Sequence, residues 1–140
     1  MSVWIDRILI VALVIVVGVL AATSLPSLSG ATLGGGALMT HMMASGVLVI
    51  GLPIFALTFL RYFAPRRSTS GIQHIGYVAT IACGLLTIAT VFVCMMPIPS
   101  TGQMHDLMSL HGWSGFAMIP AIAVLLIGLR LTRSASHPRS

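Results

Sequence analysis

The chain has 140 residues, of which 57% are apolar and only 6% are charged. A water-soluble domain carries about a quarter charged residues, so this composition, with a mean hydropathy of +1.06, excludes a soluble globular domain, a disordered chain and a disulfide scaffold. The formal charge of +5 comes from seven arginines, with no lysine, set against Asp6 and Asp106. Their placement, described below, makes that charge a topology signal and excludes a nucleic-acid partner.

A helix that crosses hydrocarbon needs about 20 mainly apolar residues. Charge-free runs occupy 8–60, 68–105 and 107–129, and breaker residues divide the chain into four such spans. The first is expected over 3–24 and closes at Leu25-Pro26-Ser27-Leu28-Ser29-Gly30 and Gly34-Gly35-Gly36. Its basic start and Ala21-Ala22-Thr23 end also permit a cleaved signal peptide. The run is long enough to span, however, and a retained helix is the expectation. The second covers 37–63 and closes at Ala64-Pro65-Arg66-Arg67. The third covers 71–96 and closes at Pro97-Ile98-Pro99-Ser100-Thr101-Gly102. The fourth covers 103–131. Pro53 and Pro120 fall inside the second and fourth spans, where proline is tolerated and a kink is expected. The predicted architecture is all-α: one integral membrane domain, residues 1–140, folded as an up-down four-helix bundle. No short internal repeat is evident, although the second and fourth spans share a local pattern around a histidine.

Arginine sets the orientation. Arg7 precedes the first span, Arg61, Arg66 and Arg67 fill the connection between the second and third, and Arg130, Arg133 and Arg139 follow the fourth. The other two connections have none. Positive charge marks the cytoplasmic side, so both termini are expected there, in a multi-pass protein of a bacterial inner membrane. Cys83 and Cys94 lie 11 residues apart on one span. That is about 17 Å of helical rise, too far for them to pair.

Ionisable residues inside a span are functional candidates, and four histidines lie in or near the membrane. His41 sits about 6 Å below the outer rim and His111 about 12 Å, so both belong to the outer leaflet. His74 opens the third span at the cytoplasmic face. His105 lies at the outer rim beside Asp106, and His137 lies in the polar tail. Residues three and four positions on share a helical face. After His41 these are Ala44 and Ser45, and after His111 they are Ser114 and Gly115. After His74 they are the bulky Tyr77 and Val78. His105 is about 240° round the helix from His111, so those two cannot face one ligand.

Two histidines at similar depth, each beside small residues, suit a flat macrocycle held edge-on between two helices. Small residues on spans also serve close helix packing, which is the plainer reading of the same four positions. In the cofactor reading, His41 and His111 bind one metal through neutral nitrogens about 4 Å apart, given bonds near 2 Å. Ala44, Ser45, Ser114 and Gly115 then line the pocket. Each remaining ring nitrogen needs a hydrogen-bond acceptor, and Ser45 or a carbonyl one turn back is the expected one on the second span.

The segments Met39-Thr40-His41-Met42-Met43-Ala44-Ser45, Met96-Pro97-Ile98-Pro99-Ser100-Thr101-Gly102-Gln103 and Leu110-His111-Gly112-Trp113-Ser114-Gly115-Phe116 together resemble small bacterial four-helix membrane cytochromes b. These are similar to the cytochrome b subunits of respiratory formate dehydrogenases and hydrogenases. The resemblance implies heme b with bis-histidine ligation, electron exchange with a quinone pool and a membrane or periplasmic redox protein, and service as an electron-transfer subunit of a larger complex. Family members often hold two hemes. Here the ends Ala56-Leu57-Thr58-Phe59-Leu60 and Val124-Leu125-Leu126-Ile127-Gly128 carry no histidine, so one heme is expected between His41 and His111, with a second at the inner side left open.

Two other readings compete. Met39, Met42, Met43, Met95, Met96, Met104 and Met108 gather near the outer ends with His41 and His105. Thioether and imidazole ligands together suit Cu(I), although methionine is also a common apolar filler. A non-redox membrane scaffold is the third. Hydrolytic chemistry is excluded: the chain has no glutamate and no HExxH, GxSxG or phosphate-loop motif.

Overall fold

The computed structural model describes residues 3–30, 32, 34–60 and 71–135. It is all-helical among these residues: α1 (Val3–Leu28), α2 (Gly35–Leu60), α3 (Gly71–Cys94) and α4 (Thr101–Ala135). All four are long and apolar enough to cross a membrane. The sequence-based end of the second span at 61–63, the side chains of Arg61, Arg66, Arg67, Arg133 and Arg139, and His137 lie outside the described residues.

The helix ends differ from expectation for local reasons. α1 runs four residues past the expected stop, straight through Pro26. Proline in the last turn forfeits one hydrogen bond without ending the helix. The stop is Gly30, whose φ of +78° is a left-handed conformation that glycine adopts without steric cost. α4 begins two residues early, because Ser100 and Gln103 form a reciprocal cap. The Ser100 backbone N–H donates to Gln103 Oε1 at 2.8 Å, and the Gln103 N–H donates to Ser100 Oγ at 3.4 Å. This S-x-x-Q signature was available in the sequence. α3 ends at Cys94, two residues short, in a turn that runs into Pro97. Pro53 and Pro120 lie within continuous helices.

The bundle is built from two hairpins, α1–α2 and α3–α4, with α1 also packed on α4 and α2 more lightly on α3. The α3–α4 pair is the tightest. At Gly76 a Cβ would collide with the backbone of Leu125, so only a glycine admits this approach. The apolar core joins Leu13 and Val17 of α1, Leu48, Leu52, Phe55 and Phe59 of α2, Tyr77 of α3, and Met118, Ile122 and Leu125 of α4. Phe55 stacks on Phe59 at 4.5 Å and lies 6.0 Å from Tyr77, whose hydroxyl donates to the Ala56 carbonyl at 2.7 Å. These rings fill the half of the bundle far from the α1–α2 and α3–α4 connections.

The hairpins share one burial register. Buried Asp6, Leu13 and Val17 of α1 correspond to buried Gln73, Thr80 and Gly84 of α3, each pair 67 positions apart. Buried Leu48, Leu52 and Phe55 of α2 correspond to buried Met118, Ile122 and Leu125 of α4, each pair 70 positions apart. His41 and His111 obey the second offset. The repeat absent at the level of residue identity is therefore present at the level of which positions face inward.

Candidate functional site

The connection end of the bundle, opposite the aromatic packing, holds the histidine pair. His41 lies in the second turn of α2 and His111 in the third turn of α4. Their rings approach to 6.5 Å between centroids, with an interplanar angle of 70°. Both residues are half-buried.

A neighbouring helix holds each ring. On the first hairpin, His41 Nδ1 lies 2.9 Å from Thr23 Oγ1 and 3.3 Å from Ser24 Oγ, both on α1. On the second, His111 Nδ1 donates to the Thr87 carbonyl at 3.0 Å and lies 3.2 Å from Thr90 Oγ1, both on α3. A carbonyl oxygen can only accept, so His111 carries its proton on Nδ1. In both rings Nδ1 makes the side-chain hydrogen bonds, and neither Nε2 has one among the described residues.

A hydroxyl or carbonyl partner was the expectation; the residues that supply it, on α1 and α3, were missed at the level of sequence. Ser45, the expected acceptor on α2, donates to the Met42 carbonyl of its own helix at 2.9 Å. The acceptors come instead from the adjacent antiparallel helix of each hairpin. The available signal was three hydroxyl residues, Thr23, Ser24 and Thr90, in apolar spans at the level of the histidines; the Thr87 carbonyl is backbone and left none.

The four small residues fall in two settings. Ala44 and Ser45 are half-buried on α2. Ser114 is buried at the α3 contact: Thr87 Oγ1 lies 2.8 Å from Ser114 Oγ, which donates to the His111 carbonyl at 3.0 Å. A Cβ on Gly115 would just touch the Thr87 methyl group, at 4.0 Å. Ser114 and Gly115 thus seat α4 against α3 and fix the turn that follows His111. Gly46 and Gly112, close in sequence to the two histidines, have open space where a Cβ would stand.

The remaining candidates stand apart. His74 and His105 are exposed, as is Asp106. Met39, Met42, Met43, Met95, Met96 and Met108 are also exposed, and Met104 is half-buried. Cys83 and Cys94 are half-buried and unbonded to each other. A cleft of about 380 Å³ at the α3–α4 connection is lined by residues that include Ile98, Gln103, Asp106 and Leu110, and by neither histidine.

The donor set limits what the pair can hold. Among the described residues no three or more His, Cys, Asp or Glu side chains gather as a metal site. Two imidazoles alone leave most positions of a bare metal ion to water. They complete the coordination of a metal whose other ligands come with it, as in a macrocycle. Two imidazoles on one metal, at bonds of about 2 Å, place their ring centres roughly 6 Å apart. The observed 6.5 Å suits that arrangement. The 70° angle is compatible as well, since each ring is free to rotate about its own metal–nitrogen axis.

The comparisons add no relative: no family model, no curated protein and no solved structure matches the chain.

Proposed function

We propose that this protein is a membrane b-type cytochrome that binds one heme between His41 and His111 and transfers single electrons between a quinone pool and a membrane or periplasmic redox protein. The observation that carries this reading is the 6.5 Å approach of two rings whose Nδ1 atoms are engaged by different helices. The short-pattern resemblance to small four-helix membrane cytochromes b supports the same assignment. The heme would supply one-electron exchange at its iron, at a potential set by axial ligands, hydrogen bonding and burial.

The chain's own residues do the rest. α2 and α4 each contribute one imidazole. α1 and α3 hold those imidazoles by their Nδ1 atoms, which fixes ring orientation and strengthens each ring as a donor. The packing of Phe55, Phe59 and Tyr77 fills the bundle beyond the pair, which supports a single cofactor at the histidine end. The arginine distribution supports a bacterial inner-membrane location with both termini cytoplasmic and the histidines in the outer leaflet. The protein then takes part in electron transfer as the membrane subunit of a larger complex.

The test is the spectrum of purified full-length protein before and after dithionite. The expected result is a b-type α band on reduction, at one heme per chain. A colourless preparation that remains colourless after incubation with hemin overturns the assignment.

A further inference from the structure

The hydrogen bonds around the two histidines repeat as closely as the burial register does. On α1, Thr23 Oγ1 donates to the carbonyls three and four residues back, Leu20 at 3.0 Å and Val19 at 2.8 Å. On α3, Thr90 Oγ1 donates to the carbonyl three residues back, Thr87, at 2.8 Å. Thr23 and Thr90 are 67 positions apart, and so are Leu20 and Thr87. In each hairpin a threonine therefore leans on the carbonyl one turn earlier, and this threonine–carbonyl unit meets Nδ1 of the histidine on the next helix.

A hydroxyl has one proton to give. With the Thr23 proton given to its own helix, its oxygen faces His41 as an acceptor. In that arrangement Nδ1 of His41 carries the proton, as Nδ1 of His111 does opposite the Thr87 carbonyl. Each ring keeps a lone pair on Nε2, the same nitrogen in both repeats. A pair with one Nε2 protonated could not bind a metal from two sides.

We infer that Thr23 is a positioning residue that sets the tautomer of His41, doing with its hydroxyl what the Thr87 carbonyl does for His111, so that both histidines present an unprotonated Nε2 to a shared ligand. The inference rests on the cytochrome reading for the identity of the ligand, but not for the tautomers. The two histidines also differ in a testable way. His111 is held by a backbone carbonyl that no substitution removes, whereas at His41 the equivalent Leu20 carbonyl stands beside the Thr23 and Ser24 hydroxyls and the hydroxyls lie at hydrogen-bond distance. Loss of the hydroxyls on α1 matters more than loss of the Thr90 hydroxyl.

The experiment is nitrogen NMR of the full-length chain, labelled with 15N-histidine and prepared in detergent without iron or porphyrin, at a pH where both rings are neutral. Signals are assigned with His41→Ala and His111→Ala. The expected wild-type result is a protonated Nδ1 and a bare Nε2 in both residues. Thr23→Val combined with Ser24→Ala is expected to turn His41 into a mixture of tautomers and leave His111 unchanged. Thr23→Ser, which restores the hydroxyl, keeps the wild-type state, and Thr90→Val leaves His111 on Nδ1. A His41 signal unmoved by Thr23→Val with Ser24→Ala overturns the inference, as does wild-type His41 protonated on Nε2. On hemin titration, the Thr23→Val, Ser24→Ala variant is expected to bind 10–100-fold more weakly than wild type, with Thr23→Ser close to wild type. A wild-type chain that binds no heme overturns the cytochrome reading alone, because the tautomer measurement is made without the cofactor.

Discussion

His41 and His111 are 70 positions apart in the chain and 6.5 Å apart between ring centroids. They come together because each is the same position of one of two helical hairpins, packed side by side with a common inward register. Each ring is tied by Nδ1 to the other helix of its own hairpin. The pair is therefore braced from two sides.

His41→Ala and His111→Ala are each expected to abolish the b-type α band of the reduced protein. His74→Ala and His105→Ala, at exposed positions away from the pair, are expected to retain it. Dithionite-reduced minus oxidised spectra of the four purified variants make the comparison. Loss of the band in His105→Ala with retention in His41→Ala would contradict the site.

Thr87→Val removes the hydroxyl that meets Ser114 Oγ at 2.8 Å but keeps the Thr87 carbonyl that holds His111. Hydrogen bonds between membrane helices contribute about 0.6 kcal/mol on average and up to about 1.7 kcal/mol. The variant is expected to lose stability within that range and to keep its cofactor. Denaturant titration in detergent, followed by circular dichroism and visible absorbance, separates the two effects.

Phe55→Ala removes a ring that is 1% exposed and stacked on Phe59. Core Phe→Ala changes cost about 3–5 kcal/mol, because a cavity remains where the ring stood. The variant is expected to unfold at markedly lower temperature in detergent. It tests the aromatic half of the bundle independently of the histidines.

Two glycine substitutions are expected to have opposite signs. Gly76→Ala drives a methyl group into the backbone of Leu125, where no side chain can swing aside, and is expected to cost about 1–3 kcal/mol. At Gly18 of α1 an added Cβ meets nothing within 4 Å. Gly18→Ala is expected to stabilise the helix by roughly 0.5–1 kcal/mol, since alanine loses less backbone freedom there. Thermal unfolding of both variants in one detergent gives the comparison.

The four spans were legible because charge exclusion and length are local properties. Each helix declares itself by about 20 residues without a charge, and the described helices match the expected spans to within a few residues. The errors at the ends were also local. Pro26 was read as a stop although proline in a last turn only forfeits a bond, while Gly30 and the Ser100–Gln103 cap set the real limits. His41 and His111 were picked out by depth and by the small residues that follow them, both of which are written along one helix at a time.

Helical periodicity and hydrophobicity fix what each segment is, because they arise from contacts within one turn and from the solvent the segment prefers. They carry no information about which face of α1 meets which face of α2. That choice was made by packing: Gly76 against Leu125, the stacked rings of Phe55 and Phe59, and a burial register repeated at offsets of 67 and 70. It brought Thr23 to His41 and the Thr87 carbonyl to His111, which no spacing within a single helix encodes. The amino-acid order thus supplied the helices and the two imidazoles. Only the association of the hairpins decided which nitrogen of each imidazole a neighbouring helix holds.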